Sequence, residues 1–337
     1  MSGSGGKKTA RLRAAHRGGG RRAYDAGICE PPVYEHLHPH GDSAIAHLLN
    51  SSPERIARYD VAEMNLICAY GLPGTRDMDM MGMLHLLNVW AQRVDAFTHQ
   101  HWDRFTSGRS STHSAAEFRL VALFHVVTQE FGVRYNPERL ADPDDFSDPA
   151  DSFVHGILSR RRMGTCASLP VLFVAIGRRL GYPLKLVESP GHLFFRWEAP
   201  GRRFNIEFND VGLNIHDDDH YRQWPEPWHP AMVELEKRNP TYLVSFTPVQ
   251  ELSIFACNRA LFLIDIPARR FEALETMRVA CRLWPNHRND HWLKHVTTRA
   301  CRGDYDIPPA IAETRIGSLL GEKIITFGLR TPEAPAY

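Results

Sequence analysis

The feature that constrains this chain most is a change of hydrophobic period at Gly181. Upstream, LPVLFVAIGRRL (residues 169–180) is almost continuously apolar before it turns basic. That pattern predicts a buried helix, with Pro170 in the first turn, where proline is tolerated, and Gly181 as its C-terminal stop. Downstream, LKLVE (184–188), HLFFRW (192–197) and RFNIEF (203–208) are short runs rich in β-branched and aromatic residues. Turn residues bound them, so they read as strands, the last two forming a hairpin across EAPG (198–201).

Within that hairpin the side chains alternate. Leu193, Phe195 and Trp197 share one face, and His192, Phe194 and Arg196 the other. On the partner strand Phe204, Ile206 and Phe208 oppose Asn205, Glu207 and Asn209. A four-residue loop at 198–201 places His192 directly opposite Glu207, and a shift of two positions makes them diagonal neighbours. Either register brings a histidine and a carboxylate to one side of the sheet.

A single cysteine precedes the apolar run, in MGTCASLP (163–170). At the N-terminus of a buried helix, unpaired N–H groups and the helix dipole favour an anion and lower a thiol pKa. Gly164, Thr165, Ala167 and Ser168 are small enough for another backbone or a substrate to approach. A lone cysteine before a core helix is ordinarily packing, and a lone strand histidine an ordinary surface residue. The set Cys166, His192, Glu207 is different, because it holds the parts of an acyl-transfer centre. Cys166 is the expected nucleophile, His192 the general base and acid, and Glu207 the group that orients the imidazole. The Cys166 N–H is expected to form half of an oxyanion hole, with the second donor unassigned.

GTCASLPVLFVAIGRRLGYPLKLV, followed by PGHLFFRW and RFNIEFND, resembles the transglutaminase-like superfamily of papain-type cysteine enzymes. The resemblance is nearest to the bacterial SirB-type branch, which is often joined to tetratricopeptide-like helices. It implies an α+β core in which the helix carrying the nucleophile packs on an antiparallel sheet. The family triad maps onto Cys166, His192 and Glu207. Its usual third member is aspartate, so the glutamate is a departure, and Asn205 on the same face is an alternative orienting residue. The implied activity is acyl transfer or hydrolysis of an amide bond in a peptide or protein. Because some members of the branch lack the cysteine, the rival function is a non-catalytic protein-binding module.

The rest of the 337-residue chain frames that core. Lys plus Arg total 40 against 39 acids, which argues against a dedicated nucleic-acid binder. The N-terminal 24 residues carry only basic charge among glycines, so 1–42 is expected to be a disordered basic tail and connector. No secretory apolar region follows it, and no stretch approaches a membrane span. Six scattered cysteines without a CxxC pair point to a reducing, cytoplasmic compartment.

Residues 43–247 are assigned to the transglutaminase-like domain, with a helical part at 43–150 and the catalytic core at 151–225. Met80–Phe105 and Ser114–Gly132 are its clearest helical segments. RYNPERLADPDDFSDPAD (134–151) reads as a long ordered loop in which Tyr135 and Asn136 form a structural turn, with polar groups for the cleft as their alternative role, and a short helix is expected at Ser152–Arg160. A helical hairpin at 248–303, built from Val249–Leu263 and Ala268–Trp284, is a possible protein-docking element. Residues 304–337 are expected to form a surface tail. HLHPH (36–40) and HDDDH (216–220) resemble metal ligands only in composition, and exposed polar loops explain them better. No metal and no cofactor is expected.

Overall fold

A computed structural model describes residues 42–141, 147–209 and 212–301. The basic tail before Asp42, the HLHPH cluster and the expected tail at 304–337 lie outside the described residues. Helices α1 (Asp42–Leu49), α2 (Pro53–Ile56) and α3 (Val61–Ala69) open the fold. Every residue of α3 is buried, and the Asp60 carboxylate caps it by accepting from the Ala62 and Glu63 amides. The 27-residue α4 (Met80–Thr106) buries a stripe through Leu84, Leu87, Trp90, Ala91 and Val94, as its spacing predicts. Ser114 caps α5 (Ala115–His125), which runs into a π-helical turn at Val126–Glu130 before the chain turns at Gly132.

The Pro- and Asp-rich stretch holds more structure than its composition predicts. It contains β1 (Arg134–Tyr135), α6 (Glu138–Ala141) and the start of α7 (Pro149–Ser152). The single helix expected at Ser152–Arg160 is instead α7 followed by α8 (Val154–Leu158), broken at Phe153. Phe153 is extended and fully buried, and the Val154 N–H donates to Asn65 Oδ1 at 2.9 Å. Core burial of the ring and a side-chain acceptor for the freed amide account for the break. Next, β2 (Met163–Gly164) leads into α9 (Leu169–Arg179), which is buried from Leu169 to Gly177. Its basic end is anchored, with Arg178 on Glu251 at 2.6 Å and Arg179 on Asp60 at 2.7 Å.

Four antiparallel strands follow in spatial order β3 (Leu184–Ser189), β4 (His192–Ala199), β5 (Arg202–Asn209) and β6 (Gly212–His216). The β4–β5 turn differs from the four-residue expectation. Ala199 pairs with Arg202, so only Pro200 and Gly201 form the loop, and Gly201 adopts φ +73°. The register therefore slides by two, making His192 and Glu207 diagonal neighbours. Because the side-chain period is two, the slide leaves both on the same face.

One face of the sheet packs on α9, where the Phe173 ring stacks on Phe195 with centroids 5.3 Å apart. The other face is covered by α10 (Asp218–Gln223), whose Tyr221 stacks on Phe194 at 3.9 Å. Beyond α11 (Pro230–Arg238), the chain returns along the open β3 edge: the Leu243 and Phe246 amides donate to the Glu188 and Leu186 carbonyls.

The chain closes with α12 (Pro248–Ile264), α13 (Arg270–Leu283) and α14 (His287–Cys301). These are three helices where a hairpin of two is expected. Pro285 ends α13, but Asn286 at once starts another helix by accepting from the Asn289 N–H at 2.9 Å. Helix α12 is buried along nearly its whole length, and Arg259 donates from it to the Cys68 and Tyr70 carbonyls at the end of α3. One hydrophobic core consequently runs from α1 to α14. No helix among the described residues is long and apolar enough to cross a membrane.

Candidate active site

Cys166 sits in a tight turn rather than in the first turn of α9. The Ser168 and Leu169 amides both donate to the Thr165 carbonyl, and the Thr165 N–H donates to Ser168 Oγ at 3.1 Å. Both hydroxyls then donate to the Asp151 carbonyl, Thr165 at 2.9 Å and Ser168 at 2.7 Å. The Asp151 carboxylate is held in turn by Asn136, Arg139 and Arg161. Gly164 is required by space: a Cβ there would lie 2.6 Å from both Ile157 Cδ1 and Ser168 Oγ. The small residues around the cysteine thus clamp its turn.

The bond from the Leu169 N–H to the Thr165 carbonyl has helical i→i−4 spacing and the Ala167 N–H donates to Thr165 Oγ1 at 3.2 Å, so the cysteine turn leads directly into α9. Beyond the turn itself, β4 and β1 supply groups that favour the thiolate: the His192 ring, the Leu193 backbone N–H and the Tyr135 hydroxyl. The Leu193 amide is available because the β4–β5 ladder begins only at Phe195↔Ile206.

His192 Nε2 lies 2.8 Å from Glu207 Oε1, which leaves Nδ1 as the ring nitrogen for Cys166. Burial opposes charge on all three groups, and their mutual contacts overcome it. Burial works against the Cys166 thiolate, yet hydrogen bonding to His192 and its positive charge, joined by Leu193 and Tyr135, bring the thiol below its ordinary value. Burial likewise disfavours the imidazolium, but Cys166 and Glu207 push His192 up to about 10. Glu207 also overcomes its burial and is held below the usual carboxylate range by His192. All three shifts run toward a thiolate, an imidazolium and a carboxylate behind the ring.

A small pocket of about 10 Å³ at the pair is lined by Cys166, Pro170, His192 and Glu207 above the buried Leu169, Phe195 and Ile206. At its His192 side stands Trp224, 44% exposed, its ring edge-on to the imidazole at 5.2 Å.

Asn205 does not take part in orienting the imidazole. Its Oδ1 accepts from Arg196 Nε at 2.6 Å, and its Nδ2 donates to Asp218 at 2.9 Å. Arg196 is fully buried and its Nη2 pairs with Asp218 at 2.6 Å, so this charge needs Asn205 where it is. HDDDH is not the polar loop expected. His216 ends β6, Asp217 caps α10 by accepting from the His220 N–H, and the His216 and His220 rings stack at 3.8 Å. Among the described residues, no group of three or more His, Cys, Asp or Glu converges to hold a metal ion.

For Tyr135 the sequence reading preferred a structural turn to a polar role at the cleft, and the structure brings it to the cysteine. Asn136 keeps the turn role, donating from its backbone to the Gly164 carbonyl at 2.8 Å. Two-residue strands carry no periodicity, so nothing in the local sequence marks the pairing of Tyr135 with Gly164.

Residues 88–252 match the family model described as the transglutaminase-like superfamily, a span that contains Cys166, His192, Glu207 and Tyr135. Such a match points to a papain-like cysteine enzyme or a related module. No curated protein and no solved structure matches the chain.

Proposed function

We propose that the protein is a cysteine-dependent enzyme that transfers or hydrolyses the acyl group of a peptide or protein amide. The observation that carries the reading is the convergence of Cys166, His192 and Glu207, with Glu207 2.8 Å behind the ring and contacts that favour the thiolate. The Cys166 thiolate attacks the carbonyl carbon and forms the C–S bond. As the tetrahedral adduct collapses, His192 gives its proton to the departing amine and the C–N bond breaks. Water or a second amine then attacks the thioester, with His192 taking the incoming proton, and the thiol is regenerated. Glu207 holds the tautomer and stabilises the imidazolium throughout.

The finer placement in a SirB-type, cytoplasmic branch rests on the motif around Cys166 and on the helical segment that follows the sheet. In that reading α12–α14 play the part of tetratricopeptide-like helices that hold a protein partner.

The test is chemical. Iodoacetamide near neutral pH should alkylate Cys166 before any other cysteine, and His192→Ala should slow that reaction by about tenfold or more, as expected for loss of a group that favours the thiolate. Peptide mapping by mass spectrometry reads both. Labelling of Cys166 no faster than that of a buried thiol overturns the enzyme and leaves the binding module.

A further inference from the structure

We propose that the Tyr135 hydroxyl is the second donor of the oxyanion site, acting with the Cys166 backbone N–H on the carbonyl oxygen of an amide or ester. The proposal rests on Cys166 being the nucleophile.

Position is the first argument. The parallel β1–β2 pairing sets Tyr135 opposite Gly164, two residues before the cysteine. Backbone bonds on either side of the tyrosine hold that register, from the Arg134 N–H to the Arg162 carbonyl at 3.0 Å and from the Asn136 N–H to the Gly164 carbonyl at 2.8 Å. Asn136 is itself tied to Asp151, the residue that clamps the cysteine turn. Tyrosine and cysteine are therefore fixed to one frame.

The second argument is what the hydroxyl touches. It interacts with two parts of Cys166, the backbone N–H and the sulfur. The carbonyl oxygen of an acyl group on Sγ is two bonds from the sulfur, which puts that same N–H within its reach. Burial and the adjacent thiolate both keep the phenol protonated, so it remains a donor across the neutral range.

Charge flow is the third. During attack the negative charge leaves sulfur, which is forming its bond to carbon, and appears on the former carbonyl oxygen. A donor within reach of both positions can follow the charge without a proton being transferred. It stabilises the thiolate at rest and the oxyanion at the transition state.

Two probes separate these roles. Iodoacetamide alkylates sulfur by displacing iodide and develops no charge on a carbonyl oxygen. p-Nitrophenyl acetate acetylates sulfur through a tetrahedral oxyanion and releases p-nitrophenolate. For the full chain, Tyr135→Phe should slow acetylation of Cys166 by about a hundredfold, the usual cost of one oxyanion donor. It should change alkylation by less than about threefold. Tyr135→His, which keeps a donor at that position, should recover part of the acetylation rate, and the retained alkylation rate confirms a folded site. Equal slowing of both reactions by both variants overturns the proposal, because the hydroxyl then serves only the thiolate. Acceleration of both also overturns it, because the hydroxyl then only blocks the sulfur. A wild-type Cys166 inert to both reagents is a separate outcome: it removes the nucleophile itself and the proposed function with it.

Discussion

Two clusters of a thiol, a cation and a carboxylate among the described residues are tuned in opposite directions. At Cys166 the cation is His192 and the carboxylate Glu207. At Cys257, in the middle of α12, the cation is Arg288, 3.4 Å from the sulfur, and the carboxylate is Glu188, 2.8 Å from Arg288. The Cys257 thiol lies above its ordinary value, since complete burial outweighs Arg288, while Cys166 lies below. Two differences account for this. Cys257 receives one hydrogen bond, from Arg288, whereas a ring nitrogen, a backbone amide and a hydroxyl all favour the Cys166 thiolate. Glu188 adds its own repulsion at Cys257. A nearby cation does not by itself make a reactive cysteine; enough donors must reach the sulfur to offset its burial.

The comparison is open to several tests. The largest effect is expected at Arg288. Arg288→Leu leaves Glu188 buried without its partner, and the second Glu188 oxygen already lacks one. Loss of about 3–5 kcal/mol is expected in urea unfolding, whereas the double change Glu188→Gln with Arg288→Met should recover most of it. A small loss in the single variant would show that this cluster is not the structural one.

Next in size is the contrast in reactivity. At pH 7 in the native protein, alkylation of Cys166 should outpace that of Cys257 by at least about a hundredfold, and urea should erase the difference. Equal native rates would break the comparison outright.

Gly164→Ala forces a methyl group against Ile157 and Ser168. The expected cost is about 1–3 kcal/mol, with slower labelling as the cysteine turn shifts. Thermal unfolding beside a labelling time course would show whether turn and nucleophile move together.

The smallest effect concerns pH. Thiolate reactivity at Cys166 should reach its midpoint below 9.0, the ordinary thiol value, because the folded site favours the anion. Acyl turnover, which needs a protonated His192, should fall again as pH rises through about 10. Glu207→Gln removes the charge that helps hold His192 up. The imidazolium should then weaken, and the labelling midpoint should climb by about half a unit to one unit, each unit being about 1.4 kcal/mol. A midpoint that does not move would show that Glu207 orients the ring without tuning its charge.

Much of the central fold was legible because its signals are local. The apolar run from Leu169, the stripe on α4 and the period-two alternation of β4 and β5 each repeat over several residues. That alternation also makes the face shared by His192 and Glu207 insensitive to a two-residue error in the hairpin loop. The third C-terminal helix was hidden by Pro285, which reads as an end and is followed at once by a capping asparagine. Strand β6 alternates Leu213 and Ile215 with Asn214 and His216, but over five residues that run into the acidic HDDDH stretch the pattern is too short to stand out.

By itself, then, the sequence determined the helix beneath the sheet, the faces of its central hairpin and the three residue types that the structure brings together. Those follow from burial periodicity, which is written residue by residue. The tertiary structure alone decided what surrounds the sulfur: Tyr135 arrives through two paired residues, Leu193 through a ladder that begins late, and Asn205 is drawn away by a buried arginine. Each depends on a pairing between distant segments, and the free energy of such a pairing has no local pattern to mark it.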